Sequence, residues 1–398
     1  MSPPPSTSSS SSGSSTRWIA TDRELAGIVA EVSQQPRYGL DTEFVAERTY
    51  WPRLCLVQLA WPGHIALIDP LACDVGGLAP LLESPATMIT HAGSGDLPII
   101  ERACGARPQR LFDTQLAAGF IGIGQPSLVS LVQTMLDTRI DKGDQLTDWA
   151  RRPLPDSAQR YAASDVAHLL DLADAISERL RELGREEWAE AECEVLLSSV
   201  AREVDPEVAW WRVKGARSLR GERAGIAQAV AGWRERRAQE QDLPPRFVLS
   251  DLTLAALVQR PPKTAEEFGR LRGVGNLNKH VVRSILEAVE AGRSLTRAEM
   301  RFPPKHSDTA ALDAAVGLLT GWAAQVASGQ QIDPRLLATR EDVRALVNGR
   351  LGRLDDGWRA EMLGRDLHAL VEGRAVLRLV DGGKRLRFER SPDPGAPG

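Results

Sequence analysis

Asp41 and Glu43 stand two residues apart in the segment Tyr38-Gly39-Leu40-Asp41-Thr42-Glu43-Phe44-Val45. In a strand that spacing puts both carboxylates on one side, with Tyr38, Leu40, Thr42 and Phe44 on the other. Like charges so placed repel. A divalent cation removes the conflict, because Mg²⁺ and Mn²⁺ prefer hard oxygen ligands. Taken alone, the pair is better read as two ordinary acids on a solvent-facing strand. Asp96 follows a buried-looking strand and the turn Ala92-Gly93-Ser94-Gly95. It falls in the first turn of an expected helix, where the macrodipole favours an acid in any case; Ser94 is the expected N-cap. Tyr161 and Asp165 are four apart and share a helix face. A half-buried tyrosine beside a surface acid also satisfies that pattern.

Taken together, the three pieces say more. In chain order they are Asp41-x-Glu43, then His91 to Asp96, then Tyr161-x-x-x-Asp165. This succession resembles ribonuclease D, in the DEDD superfamily of 3′-to-5′ exonucleases and its tyrosine subgroup. The resemblance includes Arg48-Thr49-Tyr50, Asp113-Thr114-Gln115 and Asp148 through Leu154, and runs from Arg17 to Val200. It implies an α/β ribonuclease H-like exonuclease domain with a mixed central sheet. It also implies a site made of Asp41, Glu43, Asp96, Tyr161 and Asp165. The four acids would hold two divalent metal ions, Mg²⁺ or Mn²⁺, about 3.5–4 Å apart. Asp41 would bridge them, Glu43 and Asp165 would complete the water-activating site, and Asp96 would serve the second ion. Tyr161 would orient the attacking water, as a phenol near its normal pKa of about 10 is a better positioner than a base. Gly95 stands where relatives often carry an acid, which bears on the turn more than on the chemistry.

Other residues near the motifs have plainer readings. His91 is expected as a hydrogen-bonded structural histidine, and Asp113 as a helix cap. Gln115, Lys142, Trp149 and Arg151 are candidates for RNA contact, each with an equally ordinary packing or surface role.

Residues from about Glu207 to Arg293 resemble an HRDC domain, a helical nucleic-acid-binding module. The match is carried by Trp233-Arg234, Leu243 through Asp251, Leu254, Leu257 and Gly273-Val274-Gly275. Trp233 reads as core. Arg234, Arg236 and Arg237 form a basic run expected to meet RNA. Between Trp210 and Met300 there are 17 Lys plus Arg and 10 Asp plus Glu, although the whole chain carries a net charge of -4. A basic module beside an acidic one suits a phosphate backbone held near metal-binding acids. Residues from about Thr309 to Leu377 resemble a second, diverged HRDC copy, through Trp322, Ile332-Asp333-Pro334, Leu336-Leu337-Ala338 and Leu346. A β-hairpin is expected within Val376 to Phe388.

The 398 residues are too many for one compact core. The expected division is a Pro/Ser-rich disordered tail over 1–16, the exonuclease domain over 17–204, an HRDC domain over 205–300, the second all-α HRDC-like domain over 301–390, and a frayed tail over 391–398. No apolar run approaches the roughly 20 residues that span a bilayer, and the four cysteines form no CxxC pair. A cytoplasmic monomer without membrane attachment is expected. The function implied is a 3′-to-5′ exoribonuclease that releases nucleoside 5′-monophosphates and processes the 3′ ends of tRNA or other structured RNA. The alternatives are a DNA 3′-to-5′ exonuclease and a non-catalytic RNA-binding adaptor.

Overall fold

A computed structural model of the chain describes residues 15–140, 147–199, 204–274, 277–303 and 310–391. The expected tails therefore lie largely outside the described residues, as do Lys142 and Gly275. The described chain packs as two units. One falls within Met1–Glu43, Cys55–Val200 and Ser307–Gly398, the other within Phe44–Leu54 and Ala201–His306.

The first unit is built on a six-stranded mixed sheet. Its strands are β1 (Ser15–Ile19), β2 (Arg37–Val45), β3 (Arg53–Trp61), β4 (His64–Ile68), β5 (Thr87–Thr90) and β6 (Arg110–Asp113), in spatial order β1-β4-β3-β2-β5-β6. β2 thus lies inside the sheet and pairs in parallel with β5. β3 and β4 form an antiparallel pair around the expected Pro62-Gly63 turn. β1 begins at Ser15, inside the range expected as tail. Helices cover the sheet. Asp22–Val32 starts at Thr21, whose hydroxyl accepts the Glu24 N–H, the capping residue the sequence pointed to.

Gly39 explains how the helix bearing Tyr161 and Asp165 comes close. A Cβ there would lie 3.3 Å from Leu169 and 3.4 Å from Ala60. Leu169 opens the helix Leu169–Leu183, directly after the helix Asp156–Ala167 that carries Tyr161 and Asp165. A bare backbone on β2 lets that helix junction settle against the strand holding Asp41.

The residues expected as a separate 301–390 domain pack into this same unit. One continuous core joins Phe120, Leu131, Leu172 and Ile176 to Val316, Leu337, Trp358 and Leu367. The helices are Ala310–Gly329, Pro334–Leu337, Arg340–Val347 and Arg365–Val371, and the chain ends in the expected hairpin, β7 (Ala375–Val380) with β8 (Arg385–Arg390).

The second unit is helical and has its own core around Trp210, Ile226, Val230, Leu254, Leu257, Phe268, Ile285 and Val289. It also captures the β2–β3 connection. Asp242 accepts the Tyr50 and Trp51 N–H groups at 3.1 and 3.0 Å, and the Tyr50 hydroxyl donates to Glu235 at 2.5 Å.

Candidate active site

Three elements of the first unit carry the five residues. β2 presents Asp41 and Glu43, both half-buried, between Leu40 and Thr42, which are buried. β2 is an interior strand of the sheet, and neither carboxylate is fully exposed, as a plain solvent-facing pair would be. β2 also outruns its neighbour: β5 stops at Thr90, and the chain then turns into the helix Asp96–Cys104. Asp96 is the first residue of that helix and is buried. The N-cap position is Gly95, with no side-chain cap, so Ser94 does not take the capping role expected of it.

Asp96 is instead tied to β2, because the Thr42 hydroxyl donates to its carboxylate. The turn before it is clamped by Asp113. That carboxylate accepts the Ala92 and Gly93 N–H groups at 3.1 and 2.9 Å, and caps the helix Thr114–Gly119 through the N–H groups of Gln115 and Leu116. The expected cap is present, and it has this second task. Gly93 is needed in the turn: a Cβ would sit 2.5 Å from Cγ2 of Thr90. His91 bonds the Thr114 hydroxyl and the Pro126 carbonyl, so both ring nitrogens have structural partners.

Tyr161 and Asp165 share a face of their helix, whose Ala158, Ala162 and Val166 are buried. The Tyr161 ring lies 6.2 Å from that of Trp149, which is buried. Trp149 itself belongs to a segment pinned by Arg152. That guanidinium donates to Asp69, to the Cys55 carbonyl and to the Trp149 carbonyl at 2.6–2.9 Å. Thr42 and Arg152 had no functional reading in sequence. Their signal was only adjacency to a motif.

Burial raises the pKa of all four acids. Burial drives the Asp41 carboxyl well above the carboxylate range, with repulsion from Asp96, Asp165 and Glu43 added. Glu43 is pushed up to about 8 by burial, then by Asp165 and Asp96. Asp165 rises to about 7 through burial, partly offset by its hydrogen bond from Tyr161. Burial also raises Asp96, against the lowering effect of the Thr42 hydrogen bond. The Tyr161 phenol does not keep its normal pKa: burial and the carboxylates Asp165, Glu43 and Asp41 lift it well above 10. Such a phenol stays protonated at neutral pH and keeps its O–H as a hydrogen-bond donor.

Among the described residues, no three such side chains are already set around one point as metal ligands. At Asp41 and Glu43 the charge of the neighbouring acids adds to burial in raising the carboxyl pKa. An all-oxygen donor set crowded with like charge is the chemistry that fits divalent ions, and these residues fit them.

The basic run separates under inspection. Arg234, expected to meet RNA, is only 7% exposed and donates to the Leu249 carbonyl at 3.1 Å and to Asp251 at 2.6 Å. It supports the fold of the second unit. Arg236 pairs with Glu207 at 3.4 Å, and Arg237 stacks over Trp233 at 5.9 Å.

Comparison with known proteins matches this architecture. Residues 16–181 match the family described as 3′-5′ exonuclease, and residues 223–289 match the HRDC domain. Ribonuclease D of Sphingobium indicum is 36% identical over 385 residues, covering 94% of this chain and 98% of the relative. Ribonuclease D of Gluconacetobacter diazotrophicus is 36% identical over 383 residues, covering 94% and 96%. The crystal structure of Escherichia coli RNase D superposes with a TM-score of 0.82 at 31% identity, covering 90% of this chain and 99% of that one. The chain belongs to the ribonuclease D family. It is a hydrolase with 3′-to-5′ exoribonuclease activity, acts on RNA, and membership implies divalent metal ions.

Proposed function

We propose that the chain hydrolyses phosphodiester bonds at RNA 3′ ends by a two-metal mechanism, with Asp41, Glu43, Asp96 and Asp165 as ligands and Tyr161 as the positioning donor. The observation that carries this reading is the set of four half-buried or buried acids whose ionisation burial opposes, with Asp41 and Glu43 opposed further by the charge of Asp96 and Asp165. Two Mg²⁺ or Mn²⁺ ions, when bound, supply charge stabilisation on the scissile phosphate and a nucleophilic water at neutral pH. The protein's own part is geometric. Thr42 and the Asp113-clamped turn hold Asp96 beside β2. The Gly39 contact seats the helix bearing Asp165. The protonated Tyr161 donates a hydrogen bond to the attacking water and does not remove its proton. The product is a nucleoside 5′-monophosphate.

E. coli RNase D is described as an exoribonuclease involved in structured RNA processing. By analogy we assign 3′-extended tRNA precursors and similar structured RNAs as substrate. We further read the residues from about Thr309 to Leu377 as a diverged HRDC copy, and Arg236 and Arg237 as RNA contacts of the matched one. No helix among the described residues is long and apolar enough to cross a membrane. With four free, buried cysteines, a cytoplasmic monomer is the reading that fits.

The test is Asp41→Asn on a 3′-extended tRNA with Mg²⁺ or Mn²⁺. Mononucleotide release should fall by about a thousandfold or more, with circular dichroism unchanged. Wild-type rates in the variant, or internal fragments from the wild type, overturn the proposal. A matched DNA strand in the same assay separates RNA from DNA preference.

A further inference from the structure

The C-terminal hairpin plays no part in the site above, yet its two faces are built differently. One face is fixed to the protein. Phe388 stacks on Trp322 with ring centroids 6.2 Å apart, and Leu377 packs against the shared core. The Gln325 side-chain amide donates to the Leu386 carbonyl at 2.8 Å and accepts the Leu386 N–H at 2.7 Å. The platform is therefore held firmly to the helix Ala310–Gly329.

The other face carries arginines. The register sets Arg378 directly opposite Arg387 and Val380 opposite Arg385, so all three arginines share that face. Arg378 meets Glu389 diagonally at 3.1 Å, and Arg385 lies 3.8 Å from Asp381. Arg387 is exposed and has no ion-pair partner among the described residues. From Arg374 to Arg390 there are six basic and two acidic side chains, in a chain whose net charge is -4. Like charges directly opposite across a ladder are destabilising. A face that needs only to be wet has no use for such a pair, whereas an anion laid across it removes the repulsion.

We infer that this face binds the sugar–phosphate backbone of the duplex body of a structured RNA, away from the 3′ end being trimmed. Guanidinium groups match phosphate geometry bidentately. The face offers aliphatic Val376 and Val380 but no aromatic, because Phe388 is turned inward. It therefore lacks the stacking surface that single-stranded RNA uses. Backbone contacts without base stacking are how duplex RNA is held. The inference rests on the reading of structured RNA as substrate.

The test uses the full-length enzyme with Arg378, Arg385 and Arg387 all changed to Gln, and a second variant with all three changed to Lys. Equilibrium binding of an RNA hairpin with a short 3′ tail is measured in the Asp41→Asn background as salt is varied. Cleavage of that RNA and of a four-nucleotide single strand is measured with Asp41 intact. The Gln variant should bind the tailed hairpin about 10- to 100-fold more weakly, with a salt slope lower by about two to three. Its KM on that RNA should rise with kcat unchanged, and its cleavage of the four-nucleotide strand should match wild type. The Lys variant should keep most of the salt slope. Unchanged affinity and slope in the Gln variant overturn the inference. So does an equal loss on the four-nucleotide strand, which assigns the arginines to the fold. Failure of the two-metal reading shows separately, as residual cleavage by Asp41→Asn.

Discussion

The two helical regions follow the same local plan and are stabilised in opposite ways. In the matched HRDC region, a 20-residue helix (Glu222–Gln241) is followed by the four-residue helix Pro245–Val248, an extended Leu249, and a helix capped by Ser250. In the C-terminal region, a 20-residue helix (Ala310–Gly329) is followed by Pro334–Leu337, an extended Ala338, and a helix capped by Thr339. The first buries its apolar faces on one another, around Trp210 and Phe268. The second has lent its core to the exonuclease fold, where Trp358 meets Phe120 edge-on and stacks on Trp188. Buried charge follows the same division. Arg234 pairs with Asp251 inside the HRDC region. Arg359 pairs with Glu192, which belongs to the helix Glu186–Ser198 of the exonuclease fold and also accepts from Trp358 at 3.3 Å. The comparison teaches that a repeated local pattern does not make a repeated domain. Which surface the apolar stripe finds decides whether a copy stands alone.

Glu192→Ala is the strongest way to break this comparison. It leaves the Arg359 guanidinium, 7% exposed, without its partner. The unit holding the exonuclease fold should lose about 3–5 kcal/mol. In calorimetry its transition should move down while that of the HRDC unit stays. Equal movement of both transitions would show that the cores are not independent. Arg234→Ala sharpens the same point from the other side. It should cost about 1–3 kcal/mol, confined to the HRDC unit, with Arg237→Ala within about 0.5 kcal/mol. A weaker RNA salt slope in the Arg234 variant, at unchanged stability, would return that residue to the binding surface.

A further effect concerns pH. In the metal-free protein, Glu43 and Asp165 titrate near about 8 and about 7, and Asp41 higher than its ordinary value. Unfolded carboxyls titrate near about 4. Between these values the folded state holds more protons, so stability falls as pH rises and levels off above the folded pKa values. Thermal melts in chelator should show the exonuclease unit losing several degrees from about pH 5 to about pH 8, and the HRDC unit unmoved. Divalent ions should flatten the dependence, because they replace the protons. A melting temperature that climbs over this range in chelator would contradict the shared acidic site.

The five candidate site residues were picked out by the resemblance of their succession to ribonuclease D, while the element carrying each was legible from short-range signals. Alternation put Asp41 and Glu43 on one side of a strand, the four-residue spacing put Tyr161 and Asp165 on one helix face, and Thr21 announced its helix. The hairpin was legible for the same reason. Thr42, Ser94 and Arg234 show the limit. Thr42 sits on the apolar side of its strand by period, yet its hydroxyl serves Asp96, 54 residues away. Ser94 has the right chemistry for a cap, but Gly95 occupies the position. Arg234 belongs to a basic run by composition, but packing buries its guanidinium and pairs it with the exposed Asp251.

Residue type and spacing determined which element carries each candidate side chain and which of them share a face, because those relations are settled within a few residues. Tertiary structure decided which acids meet, which arginines remain open to an anion, and which core the C-terminal helices join. Burial and charge neutralisation depend on distant segments, and no local pattern records who the neighbours will be.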